Sequence, residues 1–192
     1  IFTPAGGIGS YVLRWTISNS PCTASSSNVT ITVNAAPTAS NAGGPQTICT
    51  SGTATLAANN PTVGVGGWTV TSGPSTLSTQ FSNVLLRNAV FTPAGGVGSY
   101  VLTWTITNAP CTASSSNVTI TVNAPPTTAN AGAAQSICTS GTATMAANSP
   151  SVGTGAWSVT SGPSTSSAQF NSTAANNAIF TPAGGAGTYV LT

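Results

Sequence analysis

Cysteine is the reactive side chain that recurs at a fixed phase in this chain of 192 residues. The same 89-residue offset relates Cys22 to Cys111 and Cys49 to Cys138. The chain has no histidine, and no two cysteines show the Cys-x-x-Cys spacing of zinc and redox motifs. We therefore expect structural disulfides formed in an oxidising compartment, and neither a thiol nucleophile nor a metal site.

The cysteine spacing leaves two disulfide pairings open. A bond between Cys49 and Cys111 within one repeat is the first expectation, and a bond between Cys22 and Cys49 across neighbouring repeats is the alternative. In the first arrangement, Cys22 and Cys138 pair with cysteines outside the chain. A disulfide that closes a loop of this size contributes roughly 4 kcal/mol in the chain-entropy model, which is a large share of the stability of a small domain.

The remaining side chains offer no route to catalysis. The chain contains no Asp, Glu, His or Lys, so its many serines have no general base beside them. Its Pro-Ala-Gly-Gly-x-Gly turns lack the lysine and the following helix of a phosphate-binding loop. The absence of carboxylates also removes the usual ligands of calcium. We predict a protein that is not an enzyme and holds no metal or cofactor.

The composition is far from that of an ordinary soluble domain. Only 1% of the residues are charged, against about a quarter in typical domains, yet 40% are hydrophobic and recur in patterned runs. Two isolated arginines, Arg14 and Arg87, make no basic patch for nucleic acid. No apolar run approaches the roughly 20 residues that span a bilayer. We expect a folded protein with no nucleic-acid partner and no membrane span in this segment.

An internal repeat organises the chain. Ile1-Phe-Thr-Pro-Ala-Gly-Gly returns at Val90 and again at Ile179, each time after 89 residues. This period is too long for a solenoid coil and fits one small β-sandwich per repeat, since such domains have about 100 residues. We predict three parts: the C-terminal part of one repeat at 1–35, a complete repeat at 36–124 and the N-terminal part of the next repeat at 125–192.

Alternation of apolar residues with threonine predicts the strands. In Tyr100-Val-Leu-Thr-Trp-Thr-Ile-Thr the apolar residues share one face, and Asn117-Val-Thr-Ile-Thr-Val-Asn alternates in the same way. Similar patterns begin at Thr53 and Gly67, and weaker strands are expected at 46–48, 78–82 and 89–92. Gly, Pro, Asn and Ser turns separate these strands. The pattern predicts an all-β fold of tandem immunoglobulin-like β-sandwich domains.

The aromatic residues lie in phase with the buried positions of these strands, so we predict that they form cores and do not stack on sugars. The predicted core aromatics are Trp15, Trp68, Trp104, Trp157, Tyr11, Tyr100 and Tyr189. An array of carbohydrate-binding modules would need exposed aromatics in a row. The divergent segment Val84-Leu85-Leu86 is open to two interpretations, an exposed contact or part of the core. The short proline-bearing linkers at 34–38 and 123–127 predict a stiff, extended rod.

The strand sequences that begin at Thr53, Gly67 and Tyr100 resemble the PKD-like and Ig-like repeats of giant Bacteroidota surface adhesins. The segments Asn41-Ala-Gly-Gly-Pro-Gln-Thr-Ile-Cys-Thr and Pro110-Cys-Thr share this resemblance. The resemblance covers the whole chain. It implies export by the type IX secretion system, a location at the bacterial outer cell surface and a role in adhesion or gliding motility. The chain departs from the family at Gly44-Pro45-Gln46, where related repeats usually carry an acidic residue.

We therefore expect a structural stalk or filament segment of a long extracellular adhesin. The expected partners are neighbouring repeats of the same chain, with other filaments, surface glycans or substrata as further candidates. Two alternatives stay open: a filament subunit that self-assembles laterally or by strand exchange, and an array of carbohydrate-binding modules.

Overall fold

The computed structural model describes all residues, Ile1–Thr192, and the chain folds into strands without any α-helix. The strands are β1 Gly9–Ile17, β2 Ser25–Val33, β3 Gln46–Cys49, β4 Ala54–Thr55, β5 Val65–Ser72, β6 Val90–Phe91, β7 Gly98–Asn108, β8 Cys111–Asn123, β9 Ala143–Thr144, β10 Val159–Ser161, β11 Ile179–Phe180 and β12 Val190–Leu191. Two short 3₁₀ turns lie at Ser78–Gln80 and Ser167–Gln169. The chain divides into two compact units, Ile1–Asn123 and Ala124–Thr192.

The main sheet of the first unit has four strands in the order β3-β8-β7-β5. Strands β5, β7 and β8 pair antiparallel, whereas β3 pairs parallel with the end of β8. Alternation decides which face is buried, because successive side chains in a strand point to opposite sides. On β7 the residues Tyr100, Leu102, Trp104 and Ile106 are all buried, as the sequence pattern predicts.

Strands β4 and β6 pair antiparallel and cover this sheet from the other side. The extended chain continues past β4, where the amides of Leu56 and Ala58 donate to the carbonyls of Ala89 and Arg87. Between the two sheets lies one core of apolar side chains. The order of strands matches an immunoglobulin sandwich, in which C, F and G share one sheet and B and E the other. The prediction of an all-β, immunoglobulin-like sandwich is confirmed.

Two local features strengthen this assignment. Trp68 lies on β5, the counterpart of strand C, and is buried against Trp104 with 5.1 Å between the ring centroids. Near the start of β7 the Tyr100 hydroxyl donates to the Gly96 carbonyl at 3.1 Å and accepts from the Gly95 amide at 3.0 Å. Immunoglobulin sandwiches carry a buried tryptophan on strand C and a tyrosine corner at strand F.

Residues 1–35 form a hairpin in which β1 pairs with β2 from Gly9↔Val33 to Ile17↔Ser25. It has nearly the same sequence as the β7–β8 hairpin and the same register. Its apolar face is uncovered, with Trp15, Ile17 and Val29 all more than half exposed.

The second unit repeats the first half of the sandwich. Strand β9 pairs with β11, and β10 pairs with β12. Its core is a smaller cluster of seven buried residues around Trp157, Phe170 and Phe180. The same tyrosine corner forms, since the Tyr189 hydroxyl donates to the Gly185 carbonyl at 3.2 Å.

One strand prediction is wrong. Residues 78–82 were expected to form a strand, but Ser78–Gln80 is a 3₁₀ turn with Gln80 buried beneath it. The Gln80 side-chain amide donates to the carbonyls of Ser75 and Leu77, and its oxygen accepts from the Ala94 amide. These bonds satisfy backbone groups that a strand would have paired, so the side chain fixes the turn.

Candidate functional site at the repeat junction

The place where the hairpin 1–35 meets the complete repeat is the feature that bears most directly on function. Strand β2 ends at Val33, and the next two carbonyls are held by the β7–β8 turn. The Asn108 side chain donates to the Ala35 carbonyl at 2.8 Å. The Cys111 Sγ lies 3.2 Å from the same oxygen and 3.6 Å from the Asn34 carbonyl oxygen. Side chains of the following repeat therefore contact the junction directly and hold it in place.

Two residues after Ala36 the chain is fixed again. The Thr38 amide donates to the Val63 carbonyl at 3.0 Å, and the Thr38 hydroxyl accepts from the amides of Thr62 and Val63 at 2.9 Å each. In the second unit Thr127 makes the same three contacts with residues 151–152. Only Ala36 and Pro37 separate the held carbonyls from this anchor, so the linker has very little length in which to bend.

The segment after the anchor is braced by asparagine and serine. The Asn59 side chain accepts from the Asn41 amide at 2.8 Å and donates to the Ala39 carbonyl at 2.9 Å. Serines on β8 accept from two further amides of this segment, Ser114 from Ser40 and Ser116 from Ala42.

Sequence reasoning missed these polar braces, although one signal pointed to them. Asn41 and Asn59 return as Asn130 and Asn148, and Gln80 returns as Gln169. Asn148 makes the equivalent bonds to residues 128 and 130. A polar side chain kept at the same phase in both copies was the available indication.

The cysteines do not lie where the predicted pairings need them. All four are free thiols. Cys49 pairs in register with Asn123 at the end of β8, whereas Cys111 is the first residue of that 13-residue strand. A strand rises about 3.4 Å per residue, so the two cysteines are about 40 Å apart. A disulfide needs Cα atoms within about 7 Å, and the predicted Cys49–Cys111 bond does not fit.

The alternative pairing, Cys22 with Cys49, fits no better. Cys22 lies in the turn of the β1–β2 hairpin, a full strand away from the junction at Asn34. Cys49 lies at the opposite end of the complete repeat from that junction, because Cys111 contacts Asn34 and Cys49 pairs with Asn123. We call Cys49 and Cys138 the first cysteines of their repeats, and Cys22 and Cys111 the second cysteines.

The predicted core aromatics differ in how deeply they are buried. Trp68, Trp104 and Tyr100 are almost completely buried, and Trp157 is buried in the second unit. Tyr11 and Tyr189 are partly buried, and Tyr11 packs edge-on against Phe2.

Trp15 contradicts the prediction, because it is 73% exposed. Its counterpart Trp104 is covered by β5, which contributes the Trp68 ring and the backbone of Gly66. No strand of residues 1–35 takes the place of β5, so the indole of Trp15 has nothing to pack against.

Trp104 occupies a tight slot. A Cβ atom built on Gly66 would lie 2.1 Å from the Trp104 ring, so only glycine admits the indole here. The Trp104 indole nitrogen is buried without a hydrogen-bond partner, whereas Trp68 donates to the Leu86 carbonyl at 3.1 Å. Such an orphaned donor costs about 1–3 kcal/mol, so close packing must stabilise this residue.

The divergent segment 84–86 divides between the two interpretations that the sequence left open. Val84 is partly buried and packs against the main core. Leu85 and Leu86 are 63% and 49% exposed. The segment therefore completes the core with one side chain and presents two leucines to solvent.

The surface carries almost no charge. Arg14 is exposed and donates to the Ser26 hydroxyl across the hairpin, and Arg87 is exposed in the loop before β6. No group of three or more His, Cys, Asp or Glu side chains is placed to hold a metal ion. No helix has the length and apolar character needed to cross a membrane.

Comparison with known proteins adds little to the fold. No family model and no curated protein matches the chain. Among solved structures it is similar to the protocadherin gammaB7 EC3-6 cis-dimer, with a TM-score of 0.39 and 13% identity over 92% of this chain and 51% of that one. The insect immune protein hemolin has a TM-score of 0.39 and 11% identity, over 92% of this chain and 49% of hemolin.

Protocadherin gamma B2 extracellular cadherin domains 3-6 give a TM-score of 0.40 and 14% identity, over 91% of this chain and 51% of theirs. The chain thus spans about half the length of these neighbours. At this identity and TM-score the likeness says nothing about binding, and the fold assignment rests on strand order and the tyrosine corner.

Proposed function

We propose that this chain is a segment of a tandem array of immunoglobulin-like repeats that forms a stiff, tension-bearing stalk of an extracellular bacterial surface adhesin. The observation that carries the proposal is the parallel pairing of the first and last strands of the complete repeat, β3 and β8. The resemblance to Bacteroidota surface repeats supports the location, export by type IX secretion and a role in adhesion or gliding.

Parallel pairing matters because of the direction in which a stalk is pulled. Tension enters the repeat through residue 36, before β3, and leaves through Asn123 at the end of β8. The two strands are then drawn in opposite directions along their length. Their hydrogen bonds lie roughly across the pull, so the pairs from Gln46↔Ile120 to Cys49↔Asn123 are loaded together and not one after another.

The junction supports the same function. Asn108 holds the Ala35 carbonyl and Thr38 is held by the 62–63 backbone, with two residues between them. Short, anchored linkers favour an extended rod over a flexible chain of beads. A surface of threonine, serine and asparagine stays solvated without charge, so such a rod would be insensitive to salt.

Single-molecule force spectroscopy of the full chain, tethered at both ends, tests the proposal. Thr50 is an exposed residue directly after β3, and its amide donates to the Asn123 carbonyl at 3.1 Å, so Thr50→Pro removes one hydrogen bond of the shear-loaded ladder without opening the core. We expect the unfolding force of the complete repeat to fall clearly. The matched control is Thr139→Pro at the equivalent position, where residues 135–138 form no strand. Equal unfolding forces for Thr50→Pro and the parent chain would refute the mechanical role.

A further inference from the structure

The two cysteines of a repeat lie at opposite ends of its sandwich, and each end meets a neighbouring repeat in an array. Cys49 lies beside Asn123, where the chain leaves the complete repeat. Cys111 lies beside Asn34, where the chain enters it. Asn34 and Asn123 are the same position of successive repeats, separated by the 89-residue period.

Because the two positions are equivalent, the complete repeat shows where the first cysteine of a preceding repeat would lie relative to Asn34. Cys49 is the register partner of Asn123, and neighbouring strands lie about 4.8 Å apart. In an array, the first cysteine of the preceding repeat would lie at the same distance from Asn34. The Cys111 Sγ already lies 3.6 Å from the Asn34 carbonyl oxygen.

The direction of one carbonyl places both cysteines on the same side. The Asn123 carbonyl accepts from the amide of Thr50, the residue directly after Cys49, at 3.1 Å. It therefore points toward β3. The Asn34 carbonyl is the equivalent group, and the Cys111 Sγ lies 3.6 Å from its oxygen and 3.2 Å from the Ala35 carbonyl oxygen. Cys111 thus approaches Asn34 from the side on which the preceding repeat would carry its first cysteine.

We infer that, in an array, the first cysteine of each repeat forms a disulfide with the second cysteine of the following repeat. The inference rests on the proposed tandem array. The two thiols lose two protons and two electrons as the S–S bond forms. A disulfide oxidant such as oxidised glutathione accepts these electrons and leaves as two thiols. The bond replaces the S–H contact with the Asn34-type carbonyl, which then accepts from the Thr50-type amide.

The inference also accounts for the four free thiols. Cys49 and Cys138 each need the second cysteine of the following repeat, and Cys22 and Cys111 each need the first cysteine of the preceding repeat. None of these partners is among the four cysteines of the chain. Cys49 is exposed and Cys111 is partly exposed, so both sulfurs are accessible to an oxidant.

The chain can be given one partner by extending it at Thr192 with a second copy of residues 104–124. Thr192 is the counterpart of Thr103, so this extension completes the third repeat and adds a fifth cysteine equivalent to Cys111. The extended chain is oxidised with a glutathione redox buffer, treated with iodoacetamide and mapped by tandem mass spectrometry without reduction. We expect Cys49 to be linked to the added cysteine, with Cys22, Cys111 and Cys138 alkylated.

Two variants and one structural readout separate the outcomes. Cys49→Ser should leave the added cysteine alkylated, whereas Cys138→Ser should leave the Cys49 link intact. Amide hydrogen exchange reports whether the added residues complete a third sandwich. If they are protected but Cys49 is alkylated, or bonded to Cys111, the disulfide inference is overturned and the array stands. If they are not protected, the tandem array itself fails.

Discussion

Replacing Gly66 by alanine is the sharpest test of how the core of the complete repeat is built. Gly66 lies on β5 opposite Ile106, and the Trp104 ring lies over its Cα atom. An added Cβ would be 2.1, 2.5 and 2.7 Å from three atoms of that ring. The ring cannot retreat easily, because it is buried and also packs against Trp68, with 5.1 Å between the ring centroids.

Overpacking a close-packed core typically costs about 1–3 kcal/mol and sometimes more. Here three contacts fall below van der Waals distance, and they involve a buried ring and not a flexible side-chain tip. We therefore expect Gly66→Ala to lower the free energy of unfolding of this unit by about 3 kcal/mol. For a domain of this size that corresponds to a fall in Tm of more than about 10 °C.

Two alanine substitutions serve as controls, because a Cβ at either position meets nothing within 4 Å. Gly67→Ala is the next residue of β5, and Gly155→Ala is the counterpart of Gly66 in the second unit. Unfolding in urea, followed by tryptophan fluorescence and by amide exchange of β7, measures the loss. If Gly66→Ala changes the free energy of unfolding no more than Gly67→Ala does, the packing of Trp104 on Gly66 is not what fixes this core.

Four further predictions follow from the same contacts. Tyr100→Phe removes both bonds of the tyrosine corner and should cost about 1–3 kcal/mol in urea unfolding, with Tyr11→Phe in the uncovered hairpin as a nearly neutral control. Gln80→Leu strips partners from three backbone groups and should cost roughly 3 kcal/mol by the same assay, whereas an unchanged midpoint would show that the turn forms without it. Because the chain has no Asp, Glu or His, its free energy of unfolding should vary by less than about 0.5 kcal/mol between pH 4.5 and 6.5, and a steeper dependence would show that a titrating group contributes to stability. When an array with the inferred disulfides is pulled from its ends, its contour length should increase very little per repeat. After reduction, each unfolding repeat should add about 260 Å to the contour length.

The sequence predicted the long strands well because threonine and apolar residues alternate without interruption on β7 and β8. A period of two fixes which side chains share a face, so Tyr100, Leu102 and Ile106 could be assigned to the core before any pairing was known. The division into parts at 1–35, 36–124 and 125–192 stays a prediction from the 89-residue period.

Two features could not be predicted from the sequence: which residues of neighbouring strands pair, and whether another strand packs over an apolar side chain. Whether Cys49 lies near Cys111 depends on which end of β8 the short strand β3 meets, and alternation carries no information about that. The burial of Trp15 depends on a facing strand and not on its own pattern, so the same motif is core at Trp104 and exposed at Trp15. The turn at Ser78–Gln80 is set by one buried amide side chain, which leaves no periodic signal.

The position of the cysteines changes the route by which tension would cross an array. With the inferred disulfides, a covalent path begins at the second cysteine of one repeat and follows β8 and the next linker to the first cysteine of the following repeat. The disulfide then carries the path to the second cysteine of the repeat after that. From Cys111 to Cys138 this path uses 27 residues, or about 90 Å at full extension. The path crosses two repeats, and each has a β8-type strand about 40 Å long. The distance that the path covers in the folded array is therefore already close to its fully extended length. Residues between Cys49 and Cys111, which hold most of the core, lie off this path. An oxidised stalk would therefore resist lengthening through its covalent frame, while the β3–β8 shear ladder would bear the load only where a disulfide is missing or reduced.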